Sequence, residues 1–156
     1  MRRLGVTILI IFIMAITAFG CHKETEQDRV KKVITDIQTA VEEKDVKKIM
    51  NNLSKTYNDP QGLNNETIRR LLLGYFFQHP KISVYVNYLE ISVETTSAKA
   101  VLRTVLTSAD KTGSASDLIP QSLGIYDFNI SLKKESNDWK VTRAKWEQSE
   151  MMKTEE

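Results

Sequence analysis

Few side chains in this 156-residue chain have the type and spacing to do chemistry. One cysteine, Cys21, and two histidines, His22 and His79, are too few and too scattered for a metal set. No serine, histidine and acid stand in a nucleophile arrangement, and no glycine-rich phosphate loop appears, so no metal or cofactor is implied. Arg103 sits in an apolar run between Val101 and Val105. It reads either as a buried guanidinium that holds a carboxylate or as a paired surface arginine. Asp59, in Asn58-Asp59-Pro60, has the sequence of a turn residue that bonds its own backbone before a proline. His79 precedes Pro80 and suits a helix C-terminus, where the dipole favours an imidazole.

The aromatic residues Tyr57, Tyr75, Phe76, Tyr85, Tyr88, Trp139 and Trp146 read either as core packing or as the wall of a pocket. In the pocket reading the lining set is Tyr57, Tyr75, Tyr88, Arg103 and Trp139. Charge narrows the partners. Lysines and arginines number 22 and acids 20, and two of the cations, Arg2 and Arg3, lie in a leader-like start. The remainder is neutral, and its basic residues are not interleaved with aromatics, so no nucleic-acid face is expected.

That leader runs without charge from Leu4 to Gly20. A short basic start and an apolar stretch of this length form a signal-peptide pattern, and the stretch is short for a spanning helix. Thr17-Ala18-Phe19-Gly20-Cys21 resembles a bacterial lipobox, with Ala18 where leucine is usual. The resemblance implies cleavage before Cys21 and a lipid on its sulfur and amine, and it accounts for a single cysteine in an envelope protein. Two buried acyl chains already give stable anchoring, so three would hold the chain on the membrane. An aspartate after the lipidated cysteine retains enteric lipoproteins at the inner membrane. Here His22 stands there, which resembles the signal for an outer-membrane site facing the periplasm in cells that have that membrane. The six residues from His22 to Gln27 reach about 20 Å when extended, so the folded body is expected to stay near the bilayer.

The elements behind this tether are legible from periodicity. Thr25 and Asp28 form a capping-box pattern, and Val30, Val33, Ile34, Ile37, Ala40 and Val41 recur at helical spacing, predicting a helix to about Lys44. Asp45 is the expected cap of a short second helix with Ile49 and Leu53 inward. After a turn-rich stretch, Asn65 is the expected cap of a third helix carrying Ile68, Leu71, Leu72, Tyr75 and Phe76, ended by His79-Pro80. The second half is β. Ile82, Val84, Val86 and Tyr88 alternate, and the phase then flips to Leu89, Ile91 and Val93, which predicts a bulge. Ala98–Thr107 reads as a second strand apolar on both faces, Tyr126–Leu132 as a third and Trp139–Trp146 as a fourth, also bulged. Glu135-Ser136-Asn137-Asp138 is the hairpin between the last two. Asp127 falls on the opposite parity from Tyr126, Phe128 and Ile130.

Three N-terminal helices followed by a bent antiparallel sheet make an α+β protein, with the helices in the concavity of the sheet. Three motifs are specific in combination: Glu43-Lys44-Asp45-Val46, Leu53-Ser54 with Tyr57-Asn58-Asp59 and Gly62, and Trp139-Lys140-Val141 with Ala144-Lys145-Trp146. In this order and spacing the chain resembles the nuclear-transport-factor-2-like superfamily over about Asp28 to Glu147. Within it the chain resembles uncharacterised bacterial envelope lipoproteins. The organisation that follows is a signal peptide at 1–20, a lipidated cysteine and tether at 21–27, a domain at 28–147 and a polar tail at 148–156.

The superfamily includes ketosteroid isomerase, and Asp59-Pro60-Gln61-Gly62 looks like the segment that carries its general base. The resemblance therefore implies Asp59 as a candidate proton shuttle between carbons. The isomerase tyrosine of the first helix has no counterpart between Thr25 and Lys44, and Asp127 points away from the expected core. Scytalone dehydratase, another relative, uses two histidines in the cone, and His79 alone cannot form that pair. The expected function is thus a non-catalytic, lipid-anchored binding or accessory module of the cell envelope. The alternative is an isomerase- or dehydratase-like enzyme using Asp59 on a small hydrophobic substrate. Expected partners are the membrane, a small hydrophobic ligand or envelope protein, and a second copy through the sheet. The connection from Ser108 to Gly124, polar and then Leu118-Ile119-Pro120, reads as a flap over the cone mouth or as a hairpin extension patching the outside of the core.

Overall fold

The computed structural model describes residues 24–108 and 122–149. Helix α1 spans Glu26–Glu42, α2 Val46–Asn52 and α3 Asn65–Gln78. Strands β1 (Ser83–Val93), β2 (Ser97–Thr107), β3 (Ser122–Glu135) and β4 (Asp138–Ser149) follow.

Each helix begins where a side chain can satisfy free amides. The Thr25 hydroxyl accepts from the Asp28 amide at 3.1 Å, while the Asp28 carboxylate accepts from the Thr25 amide at 2.9 Å. Helix α1 stops two residues short of the expected Lys44. Lys44 is left-handed, with φ 55°, so its amide donates to Val41 O and that of Asp45 to Ala40 O, closing the helix end. Asp45 caps α2 by accepting from the Lys48 amide at 2.9 Å. The cap of α3 is Asn64, not Asn65: its Oδ1 accepts from the Glu66 and Thr67 amides at 3.1 and 3.0 Å. Asn65 instead ties the helix to the preceding loop, donating to Ser54 O at 2.9 Å.

The four strands form one antiparallel meander in the order β1-β2-β3-β4. It bends at three irregularities in register. Asn87 is extra in β1 between Val86 and Tyr88, where the apolar phase flips. Leu123 is extra in β3 opposite Leu106 and Thr107, and Thr142 is extra in β4 opposite Ser131 and Leu132. The bulge at Thr142 explains the parity break in the last strand. It keeps Val141 and Ala144 on the side that packs against α1. Strand β2 differs from expectation: Ala98, Ala100, Leu102 and Thr104 are buried, whereas Val101 and Arg103 are exposed, so only one face joins the core. β4 runs to Ser149, beyond the expected domain limit, because Glu147, Gln148 and Ser149 pair with Asp127, Tyr126 and Ile125. β3 likewise starts at Ser122 and takes the last three residues of the expected connection; residues 109–121, with most of the expected flap, lie outside the described residues.

Two clusters make the core. The larger joins Val30, Val33 and Ile34 of α1 to Tyr57 and to the concave face of the sheet through Leu102, Ile130, Leu132, Trp139 and Val141. The smaller joins Ala40, Ile49, Phe76, Ile82 and Val84. The loop after α2 is sewn onto β4, with the Ser54 amide donating to Val141 O at 2.8 Å and the Asn58 amide to Thr142 O at 3.2 Å.

Candidate functional site

Between the two clusters the packing does not close. A cavity of about 300 Å³ lies under α3, walled by the inward faces of α1, α2 and α3 and by the concave face of the sheet. Ile68, Leu72 and Tyr75 of α3 face Leu102, Leu106, Phe128 and Ile130 across it, and Tyr126 and Trp146 contribute an edge-to-face aromatic pair with centroids 6.2 Å apart. The lining is overwhelmingly apolar. No carboxylate, imidazole, lysine or arginine belongs to it among the described residues.

Its polar atoms are few, and most are committed. Gln38 lies on the inward stripe of α1 and donates through Nε2 to Val84 O at 2.9 Å. Thr104 is buried, its hydroxyl 3.5 Å from Tyr126 O. The Tyr57 hydroxyl donates to Asp59 Oδ2 at 3.2 Å. The Tyr75 hydroxyl is buried and has no hydrogen-bond partner among the described residues. Its ring lies 4.4 Å from that of His79, centroid to centroid, and burial, followed by the nearby Tyr126, pushes its phenol pKa up.

Asp59 is buried, 6% exposed, but does not line the cavity. Its Oδ1 accepts from the Leu63 amide at 2.8 Å, and its own amide and carbonyl are bonded to Leu63 and Gly62. Gly62, at φ 81°, makes that loop possible. The carboxylate is thus turned onto the turn amide on one side and onto Tyr57 on the other. Burial first, and the Asp59 charge next, push the Tyr57 pKa up and hold the phenol protonated.

Of the five pocket-lining candidates, the structure brings Tyr57 and Tyr75 to the cavity and sends three elsewhere. Tyr88 is 51% exposed on the convex face, its hydroxyl donating to Glu90, because the bulge at Asn87 puts Tyr88 on the face opposite Val86, with which it alternates in the sequence. Arg103 is also on the convex face, where Nε and Nη2 donate to Asp127 at 2.6 and 3.0 Å. Arg103 first, and Ser149 next, hold the Asp127 carboxyl down at about 2. Trp139 is buried, 3% exposed, but at the other end of α1, where its Nε1 donates to Glu26 Oε2 at 2.7 Å. Cys21 lies outside the described residues. Gln38 and Thr104 are the polar lining residues that the sequence reading missed. The signal for Gln38 was a polar residue on the apolar stripe of α1 and, for Thr104, the inward parity of β2. Among the described residues no group of three His, Cys, Asp or Glu side chains could hold a metal ion, and no helix is long and apolar enough to cross a membrane.

No family model matches the chain, and no curated protein does. Solved structures do match. A protein of unknown function with a cystatin-like fold from Nostoc punctiforme superposes with a TM-score of 0.65 at 10% identity, over 83% of this chain and 96% of that one. A candidate scytalone dehydratase from Novosphingobium aromaticivorans gives 0.66 at 12%, over 80% and 84%. Bd1075 of Bdellovibrio bacteriovorus gives 0.63 at 12%, over 77% of this chain but only 40% of its own length. These likenesses, with the bent sheet around α1, define the class: a cone-shaped α+β protein of the cystatin-like, nuclear-transport-factor-2-like fold.

Proposed function

We propose that this chain is a binding module that holds a small apolar molecule inside its cone, carried on the cell envelope by lipid on Cys21. The observation that supports it is the cavity: about 300 Å³ of space under α3 with an apolar wall. That is the low end of the size of small-molecule sites, which combine apolar walls with a few polar groups. The lipobox resemblance at Thr17–Cys21 motivates the anchor, and a tether as short as His22–Glu24, ahead of the Thr25 cap of α1, would keep the cone at the bilayer surface, where apolar molecules are available.

A second reading, a dehydratase- or isomerase-like enzyme, is favoured by one contact. Asp59 is a single hydrogen bond from Tyr57, which does line the cavity. A base must face its substrate's proton, and here the Leu63 amide and the Tyr57 hydroxyl occupy the carboxylate. For that reason binding is preferred.

Both parts are testable on protein expressed in a bacterial envelope. Organic extraction and mass spectrometry are expected to recover a stoichiometric apolar molecule from the purified protein, and an Asp59→Asn variant is expected to retain it unchanged. A retained molecule that accumulates as a chemically different species in Asp59→Asn would favour the enzyme. Cys21→Ser is expected to leave unlipidated precursor by intact mass, and a variant processed like the parent, with lipid on neither, would remove the anchor.

A further inference from the structure

The two edges of the sheet are not protected alike. An edge strand presents a row of unpaired amides and carbonyls, which native proteins cover or interrupt. The β4 edge is covered: Val141 O and Thr142 O accept from the Ser54 and Asn58 amides at 2.8 and 3.2 Å, and Trp146 O accepts from Gln61 Nε2 at 3.1 Å. Among the described residues the β1 edge is covered only at its start. There α1 caps Val84, whose amide donates to Glu42 Oε1 at 2.8 Å and whose carbonyl accepts from Gln38 Nε2 at 2.9 Å. Val84 therefore turns its backbone groups away from β2. Such outward groups recur at every second residue of an antiparallel edge, and the extra Asn87 shifts their phase by one. Past the bulge they belong to Leu89, Ile91 and Val93. The hairpin bond from the Glu94 amide to Ser97 O at 2.8 Å fixes the same parity from the other end. Among the described residues no side chain, helix or loop bonds to the backbone groups of Leu89, Ile91 and Val93.

We propose that residues 89–93 of β1 are a docking edge for an extended segment of another protein, added as an antiparallel strand in which apolar side chains alternate with lysine or arginine. The proposal is independent of what the cavity holds and of the lipid on Cys21. The open edge sets the backbone, because a strand supplies donors and acceptors at the spacing of Leu89, Ile91 and Val93. The apolar positions follow from the groove between β1 and α1, lined by Val86, Leu89 and Ile91 on one side and by Gln27, Lys31 and Thr35 on the other. The concave-facing side chains of an added strand would enter it. The basic positions follow from the convex side, where Glu90 and Glu94 are exposed. Glu90 accepts from the Tyr88 hydroxyl and Glu94 from that of Ser97, and neither has a cationic partner among the described residues. The same carboxylates disfavour a second copy on this edge. Antiparallel self-pairing centred on Ile91 sets Glu90 diagonally across from Glu90 and Glu94 of the other copy, and centring on Glu90 or Ser92 puts glutamates directly opposite.

The test is residue-resolved amide hydrogen exchange on the full chain in phosphatidylcholine nanodiscs. The probe is the capped heptapeptide Lys-Val-Lys-Val-Lys-Val-Lys, compared with its Glu-Val-Glu-Val-Glu-Val-Glu counterpart. In the free protein the amides of Leu89, Ile91 and Val93 are expected to exchange faster than those of Tyr88, Glu90 and Ser92, which face β2, and the lysine peptide is expected to slow them. The valine amides of the probe face β1. N-methylation of the valines is therefore expected to abolish binding, whereas N-methylation of the lysines, whose amides face away, leaves it intact. The glutamate peptide is expected to bind about tenfold more weakly, the scale of two cross-strand charge pairs, and Glu90→Lys is expected to narrow that gap. No slowing of these amides by the lysine peptide at millimolar concentration, or equal binding of the two N-methylated forms, would overturn the added strand. Equal binding of the lysine and glutamate peptides would overturn the basic partner. Amides already slow in the free protein would overturn the proposal by showing the edge covered, by a second copy if the slowing grows with protein concentration and by the chain itself if it does not.

Discussion

The two ends of α1 face different problems. At its start, Glu26 accepts from Lys134 at 2.8 Å, from Trp139 Nε1 at 2.7 Å and from Arg29 at 3.1 Å, so one carboxylate ties α1 to β3 and β4. Beneath it the core is dense, with Leu132 and Trp139 only 1% and 3% exposed. Toward its other end α1 faces α3, where Phe76 alone is buried and the remaining inward residues border the cavity. Leu73 and Phe77, on the outer side of α3, are exposed. The comparison shows where this small fold invests its apolar surface. One end uses it to hold the sheet on the helix; at the other, among the described residues, it borders open space.

The largest test of this contrast is Trp139→Ala. It removes a fully packed ring together with its bond to Glu26, and a loss of about 3–5 kcal/mol is expected in denaturant unfolding. A variant that unfolds at the parent's denaturant midpoint would show that the two ends are not so different. A matched pair sharpens the comparison. Leu132→Ala, at 1% exposure, is expected to cost about 2–5 kcal/mol, whereas Leu72→Ala beside the cavity should cost under about 2 kcal/mol, since its side chain already borders empty space. Equal losses would mean that the cavity end is packed as tightly as the rest.

The smallest effect concerns pH. The bonds from Lys134 first, and then those from Trp139 and Arg29, hold the Glu26 pKa at about 2, below its ordinary value of 4.5. A depressed carboxylate adds stability above its unfolded pKa, and that contribution fades as pH falls from about 4.5 toward 2. Glu26→Gln should therefore be less stable than the parent at pH 7, with the gap narrowing across that acid window. Asp127, also held low, should titrate alike in both and cancel in the difference. A gap that stays constant from pH 7 to 2 would remove Glu26 from its tying role.

Much of the fold was legible because periodicity is a local property. The apolar stripe of α1, its capping box at Thr25 and the alternation in the strands need only neighbours a few residues apart, and so does the phase flip that marks the bulge at Asn87. The cap of α3 was placed one residue late because two adjacent asparagines offer the same chemistry, and only the backbone geometry at Asn64 selects between them.

The site was less legible. Type and parity put Arg103 among apolar neighbours, but whether it faced the concavity depended on which face of β2 the helices covered, a choice made by the whole sheet. Trp139 and Tyr57 are both buried aromatics in the sequence pattern and in the structure. One closes the packed end and the other borders the cavity, because the bulge at Thr142 and the loop sewn onto β4 set their distances from α3. The sequence by itself determined the helices, the strands, their order, the neutral charge of the body and the lipobox-like start, since each is written in short-range spacing and composition. The tertiary structure alone decided that a cavity exists and that Asp59 is bound by its own turn. It also decided that the Tyr75 hydroxyl is left without a partner among the described residues. Those outcomes depend on how completely side chains from distant segments fill a shared volume, and volume filling has no signature in local sequence.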